Sequence, residues 1–248
     1  MAERRFVVEG PQAVREALAA GQLLELYAEP GRHPELAAAA AATGVPVVPV
    51  TAAVLAALAG TVTPQGVVGV APLLDVTLER ALASRPRLVA VLDAVADPGN
   101  AGTVVRAADA AGAGAVVLTE GSVDPHNGKC VRASAGSLWH LPVVSGVPLR
   151  AAVSALRAAG LQVLATSGSA PDDLDDLLDT GVLTAPTAWL FGTEAAGLPA
   201  DALADADRRV RVPLHGRAES LNLAAAAAVC LYASARAQRP GAPPVPGG

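Results

Sequence analysis

Apolar positions along this chain fall into short runs of strand length, separated by alanine-rich stretches of helical period, and the alternation predicts an α/β protein. In the first part, residues 11–20, 34–42 and 51–59 read as helices and 23–28, 45–50 and 67–72 as strands, with strand-like alternation also in RFVVEG at the N-terminus. A second series begins at Leu88. It runs through strand 88–95, a loop ADPGNAG, a helix TVVRAADAAG, strand 115–120, a helix-like KCVRASAGSL and a short strand after Pro142. Helix 149–160, strands 162–167, 187–192 and 208–214, and an alanine helix over 222–237 complete it. Strands alternating with helices imply a mostly parallel sheet. The pattern divides the chain into a small α/β domain over 1–73, a linker or connecting helix over 74–86, and a larger α/β domain over 87–240. The tail 241–248 lacks apolar anchors and is expected to be disordered.

Composition sharpens this picture. Of 248 residues 52% are hydrophobic but only 2% aromatic, so the core must be built from small side chains at close contacts between elements. No charge occurs from Leu36 to Leu74. Yet Gly44, Pro46, Pro49, Gly60, Pro64, Gly66 and Gly69 interrupt that run, leaving no clean span of about 20 apolar residues. The N-terminus lacks the apolar region and cleavage site of a signal peptide, so a cytoplasmic protein without a membrane span is expected. Cys130 and Cys230 form neither a C-x-x-C pair nor a disulfide framework and read as buried thiols, with no metal site expected. With 18 basic against 23 acidic residues, the net charge of −5 weighs against nucleic acid on the sum, though distribution matters more. Lys129, the sole lysine, has Arg132 beside it, while Arg208, Arg209, Arg211 and Arg217 cluster later and an acidic run (Asp172, Asp173, Asp175, Asp176, Asp179) reads as a solvated helix face.

Ligands of open parallel sheets sit at the carboxyl ends of strands, which directs the search to three loops. The first contains Asp97-Pro98-Gly99-Asn100 and lacks the G-x-G-x-x-G of a dinucleotide site. GSVDPHNGKC fails as a P-loop, because Val123 and Cys130 stand where glycine and Ser or Thr are required. In the first loop Asn100 suits a helix cap, and Arg106, in the first two turns of an apolar helix that starts near Thr103, either snorkels to water or binds a phosphate. In the second loop, LFGTEAAGLP, Gly192 suits a close backbone approach and Gly197 a positive φ. Glu194 there is either a helix N-terminal charge or a functional acid. The third loop, VPLHGRAESLN, crowds His215, Arg217, Glu219, Ser220 and Asn222 ahead of the alanine helix. A cap explains one of them, Ser220 or Asn222. His215 lacks a partner at metal spacing, and no G-x-S-x-G elbow supports Ser220 as a hydrolase nucleophile.

Taken in order, D-P-x-N-x-G followed by arginine, G-x-E-x-x-G-L-P, and V-P-L-x-G-x-x-x-S-L-N before an alanine helix resemble the SpoU-type RNA 2′-O-ribose methyltransferases over residues 88–238. DPHNGKCVRASAGSLWHLPVV is similar to the family's segment after the second strand, and RFVVEGPQAVREAL to the start of its small, ribosomal-protein-like substrate-binding domain. The chain departs from the pattern at Leu214, where methionine is frequent, at Leu223-Ala224, where Val-Ser is common, and in its low basic charge. The resemblance implies a deep trefoil knot in the C-terminal domain, a homodimer with its site across the interface, and S-adenosylmethionine as cofactor. It implies cofactor contacts at Thr166, Gly192, Val212, Leu214 and Leu221, mostly through backbone groups. Arg106 is implied as the residue serving the ribose hydroxyl, with Asn100, Glu194, Ser220 and Asn222 orienting it and the ribose. Ribosomal RNA is favoured over transfer RNA as substrate. Arg15, Lys129, Arg132 and Arg217, with Arg4 and Arg5, are the candidate RNA-facing cations. A non-catalytic RNA-binding protein on the same fold is the alternative, and a nicotinamide-dependent oxidoreductase a distant third.

Overall fold

A computed structural model describes residues 4–60, 63–193 and 196–239. The first unit comprises β1 (Arg5–Glu9), α1 (Pro11–Ala19), β2 (Glu25–Ala28), α2 (Pro34–Ala42), β3 (Val47–Pro49), α3 (Ala52–Leu58) and β4 (Val67–Pro72). Its strands lie in the order β1-β4-β2-β3, with β4 antiparallel to both neighbours and β2 parallel to β3. Proline in the first turn opens α1 and α2, where its missing N–H costs nothing, and the Thr51 side chain caps α3.

α4 (Leu78–Leu82) connects to the second unit. There follow β5 (Leu88–Leu92), α5 (Pro98–Ala110), β6 (Ala115–Thr119), α6 (Gly128–Ser134), β7 (Val143–Val147), α7 (Leu149–Ala158) and β8 (Gln162–Thr166). Then come β9 (Asp172–Asp173), α8 (Leu174–Asp179), β10 (Thr187–Phe191), α9 (Ala200–Asp205), β11 (Arg208–Arg211) and α10 (Leu223–Gln238). The seven strands, in the order β7-β6-β5-β10-β8-β11-β9, are all parallel. Every residue of β5, β6 and β10 is buried, as strands covered by helices on both faces require. One face packs on α5, α6 and α10, the other on α4, α7 and α9. Alanine lets α10 approach the sheet closely, and its Ser234 accepts the indole N–H of buried Trp189 at 2.9 Å.

The observed elements differ from the sequence expectation at several ends, each for a physical reason. α5 starts at Pro98, not near Thr103, because Asp97 is its cap and proline suits the first position, so Asn100 lies in the first turn and Arg106 in the third. α6 stops at Ser134, since Ala135 (φ 50) and Gly136 (φ 102) take left-handed conformations. β11 ends at Arg211, where its neighbour β8 has already ended, so 212–214 is not strand. The acidic run is not one helix face: Asp172 and Asp173 form β9 and pair with Arg208 (3.5 Å) and Arg211 (3.1 Å), and only the remainder lies on α8. Helix α9 carried no sequence expectation. Residues 241–248 lie outside the described residues, and no helix among the described residues is long and apolar enough to cross a membrane.

The two units share one continuous core. Phe6 of β1 packs against His126 and Trp139 of the second unit, with ring centroids 4.7 and 6.0 Å apart. The Leu74 N–H donates to His126 Nε2 at 3.0 Å, and the Val76 N–H to the Val143 carbonyl. Glu9, 5% exposed, accepts from Arg132 at 2.6 Å and from the Gly60 N–H at 2.8 Å. Removing the guanidinium strands a buried carboxylate. Arg132→Ala should therefore lower stability by roughly 2–3 kcal/mol, less than for a fully buried pair because the arginine reaches water; urea unfolding midpoints measure it.

A second contact between the units is pH-dependent. His140 Nδ1 lies 2.7 Å from Asp109 of α5 and Nε2 3.3 Å from Glu16 of α1, so both nitrogens donate only when the ring is protonated. These hydrogen bonds, to Asp109 first and then to Glu16, raise the His140 pKa above its ordinary 6.5. A pKa raised by folding contributes stability that is complete below the unfolded-state value and is lost as pH rises through the folded-state value. Thermal unfolding between about pH 6 and about pH 9 should show this loss. In His140→Gln the slope should flatten; an equal slope in both proteins would contradict the clamp.

Candidate functional site

Parallel strands put their following loops at one sheet edge, and β5, β10, β8 and β11 are consecutive neighbours. The loops expected to carry chemistry, after β5, β10 and β11, therefore share that edge, with the end of β8 among them. The first and third touch directly. Asn222 Nδ2 donates to Asn100 Oδ1 at 3.1 Å, although 122 residues separate them.

Each partner is held by its own helix. Asp97 caps α5 by accepting from the Asn100 N–H at 2.8 Å, which places Asn100 in the first turn. Asn222 caps α10 by accepting from the N–H groups of Ala224 (2.9 Å) and Ala225 (3.4 Å), leaving its own amide N–H to reach Asn100. The cap reading and the functional reading of Asn222 are thus compatible: one oxygen serves the helix and the nitrogen serves the loop. The Lys129 ammonium donates to Asp97 at 2.7 Å, and this bond, followed by the one from the Asn100 N–H, holds the Asp97 pKa below the usual carboxylate range. Gly102 is a packing requirement: a Cβ there would lie 2.4 Å from the Cys130 carbonyl oxygen, so glycine lets α5 and α6 meet.

The second loop is a tight turn. Thr193 and Gly197 exchange backbone hydrogen bonds of 3.2 and 2.8 Å, the Ala196 N–H donates to Thr193 Oγ1, and Gly197 has φ 66. A Cβ on Gly192 would lie 2.2 Å from the Gly197 carbonyl carbon, so the close approach expected at Gly192 comes from the chain's own backbone. Thr166 ends β8 and donates to the Leu190 carbonyl at 2.9 Å, tying the β8 and β10 ends together. Glu194 lies outside the described residues.

The third loop is held differently. Among the described residues, 212–221 make no hydrogen bond to the rest of the chain, and their run ends at the Asn222 cap. Leu214 and Leu221 are 41% and 39% exposed, Val212 is half-buried, and His215, Arg217, Glu219 and Ser220 are exposed. Free backbone donors and acceptors beside exposed leucines suit a ligand with a flat heterocycle and a polar edge, which needs apolar walls and backbone hydrogen bonds. The residues present therefore fit the adenosine part of S-adenosylmethionine.

Arg106 makes no bond to this group. It is exposed on α5 and makes no hydrogen bond or ion pair among the described residues. With Thr103 and Ala110 it forms an exposed row, beside which Tyr232 of α10 donates to the Ala110 carbonyl at 3.5 Å. Val229 and Tyr232 are 43% and 53% exposed on this α5/α10 face. Of the expected RNA-facing cations, Arg15 is exposed and, among the described residues, bonded to neutral Gln12, and Arg217 is exposed, whereas Lys129 and Arg132 are engaged by Asp97 and Glu9. Both cysteines are buried, as expected; burial raises both thiols, Cys130 to about 12. No group of three His, Cys, Asp or Glu side chains that could hold a metal occurs among the described residues. Sequence reading named Lys129 as an RNA-facing cation and Asp97 as a turn residue, and did not pair the two. The signal was the Asp-Pro pair, which marks a capped helix start.

The chain is similar to known proteins over both of its units. The model of the SpoU rRNA Methylase family matches residues 87–232, and the model described as RNA 2′-O ribose methyltransferase substrate binding matches residues 7–75. The chain is 36% identical over 229 residues to the 23S rRNA (guanosine(2553)-2′-O)-methyltransferase RlmP of Bacillus subtilis, covering 92% of this chain and 87% of that protein. Among solved structures, the AdoMet-bound rRNA methyltransferase from Sinorhizobium meliloti aligns with a TM-score of 0.81 at 33% identity, over 94% of this chain and 87% of the other. The SpoU methyltransferase AviRb from Streptomyces viridochromogenes, in complex with AdoMet, aligns with the same TM-score at 29% identity, over 94% and 90%. With more than half its length under the family model and its three loops gathered at one sheet edge, the chain belongs to the SpoU rRNA methylase family.

Proposed function

We propose that this protein transfers a methyl group from S-adenosylmethionine to a ribose 2′-hydroxyl of large-subunit ribosomal RNA, acting in the cytoplasm as a homodimer. The observation that carries the reading is the Asn100–Asn222 hydrogen bond, which joins the first and third loops at the sheet edge where the family's motifs lie. Relatives named as 23S rRNA 2′-O-methyltransferases support the substrate class, and AdoMet-bound neighbours support the cofactor. In this reading residues 1–73 bind RNA, 74–86 connect, and 87–240 form the knotted methyltransferase domain.

When bound, S-adenosylmethionine would supply a methyl group on a positively charged sulfur, leaving as the neutral thioether S-adenosylhomocysteine while the hydroxyl proton passes to water. The chain's task is to hold and orient. Gly192, Val212, Leu214 and Leu221, with Thr166 at the end of β8, form the cofactor cradle, largely through backbone groups. Asn100 and Asn222 fix the two loops relative to one another, and Ser220 and Glu194 would orient the sugar toward the methyl group. Arg106 binds the neighbouring phosphate and stabilises negative charge developing on the attacking oxygen, because a guanidinium remains protonated and cannot serve as a base. The exposed α5/α10 face, with Val229 and Tyr232, supports dimerisation there, which carries Arg106 to the site of the second copy. Arg15 and Arg217 are exposed cations available to meet RNA phosphate.

Isothermal titration tests the reading at its first step. S-adenosylmethionine should bind at one site per chain, and Gly192→Ala should abolish that binding. A protein that binds ribosomal RNA but no S-adenosylmethionine would be the non-catalytic alternative, and the proposal would be wrong.

A further inference from the structure

We infer that Lys129 is a positioning residue that sets the first loop of the site through Asp97, rather than an anchor for RNA phosphate; the inference rests on the methyltransferase reading above. Lys129 Nζ donates to Asp97 Oδ2 at 2.7 Å, while Asp97 Oδ1 accepts from the Asn100 N–H at 2.8 Å. One carboxylate thus ties α6 to the first turn of α5. The lysine stem crosses the backbone where no side chain stands in its way. A Cβ on Gly99 would lie 2.8 Å from Asp97 Oδ1 and 3.0 Å from Lys129 Cε.

The far end of this tie is rigid. The Lys129 N–H donates to Asn127 Oδ1 at 2.9 Å, and α6 is pressed against α5 at Gly102. From Asp97 the path continues through Asn100 to Asn222, which caps α10 and closes the third loop. A side chain on α6 thereby fixes the relative placement of two loops that it does not itself belong to. The lysine and the carboxylate are 55% and 44% exposed, so their pairing stabilises the fold little, and its consequence lies in geometry. A phosphate would have to compete with Asp97 for this ammonium, which already donates to the carboxylate at 2.7 Å.

Steady-state methyl transfer to ribosomal RNA separates the two roles. Lys129→Gln should lower kcat about tenfold or more, since small misplacements of reacting groups cost rate. Its RNA KM, its salt dependence and its unfolding temperature should stay near wild type. Lys129→Arg should restore most of the rate, Asp97→Asn should match the Lys129→Gln loss, and the double variant should be no worse than the poorer single. A raised RNA KM with unchanged kcat and a shallower salt slope would mark a phosphate contact and overturn the inference; so would additive losses. A readout without substrate keeps the question separate from the activity. The Asn222 side-chain amide resonance should move in Lys129→Gln, and an unmoved resonance would count against the inference even if the wild-type protein transferred no methyl group.

Discussion

Arg106→Ala is expected to lose methyl transfer by about 10²–10³-fold at saturating RNA and S-adenosylmethionine, the usual cost of removing one donor aimed at developing negative charge. Little of that loss should come from folding. Arg106 is exposed, in the third turn of a helix whose buried side consists of other residues, and it contributes no hydrogen bond or ion pair among the described residues. Its unfolding temperature should match wild type within the scatter of a surface substitution, about 0.5 kcal/mol. Arg106→Lys keeps the charge but loses the planar two-pronged geometry and should recover only part of the rate. Single-turnover methyl transfer measures both variants. A near-wild-type rate for Arg106→Ala would remove Arg106 from the mechanism.

Gly192→Ala should act on fold and cofactor together. Its added carbon would meet the Gly197 carbonyl carbon at 2.2 Å, the Gly197 oxygen at 2.3 Å and the Leu198 nitrogen at 2.4 Å. All three are backbone atoms, so no rotamer change relieves the contact and the turn must open. Overpacking of this kind costs about 1–3 kcal/mol, and the displaced turn should lose S-adenosylmethionine affinity. Gly216→Ala is the stability control, because a carbon there meets nothing within 4 Å. Thermal unfolding with and without S-adenosylmethionine reads both effects. A cofactor-induced rise in Gly192→Ala equal to wild type would contradict the cradle.

Much of this architecture was legible in the sequence, and the misreadings share a cause. Strands buried on both faces, such as LVAVL and TAWLF, announce themselves as apolar runs, so the parallel sheet followed from pattern alone. Where an element ends depends on neighbours that local sequence does not name. Alternation in RRVRVPL continues to residue 214, but β11 stops at Arg211 once β8 offers no further partner. Gly99 and Gly102 look like loop residues, yet both lie inside α5 because tertiary contacts with Lys129 and α6 demand their small size. The docking of the two units through Phe6, His126 and Trp139 joins residues more than a hundred positions apart and leaves no local signature. The site was legible as three motifs, and Asn100 and Asn222 do meet. Sequence did not reveal that Asp97 caps α5, that Lys129 holds Asp97, or that Arg106 lies exposed and bonds to none of the loop residues described.

If the gathered loops deliver a methyl group to a sugar oxygen, the product itself identifies the reaction. The most direct test incubates the protein with unmethylated 23S ribosomal RNA and methyl-labelled S-adenosylmethionine, digests the RNA to nucleosides and identifies the labelled product. Label is expected in one 2′-O-methylnucleoside and should be lost in Arg106→Ala. Label on a base, or none in the RNA while S-adenosylmethionine still binds, would contradict it.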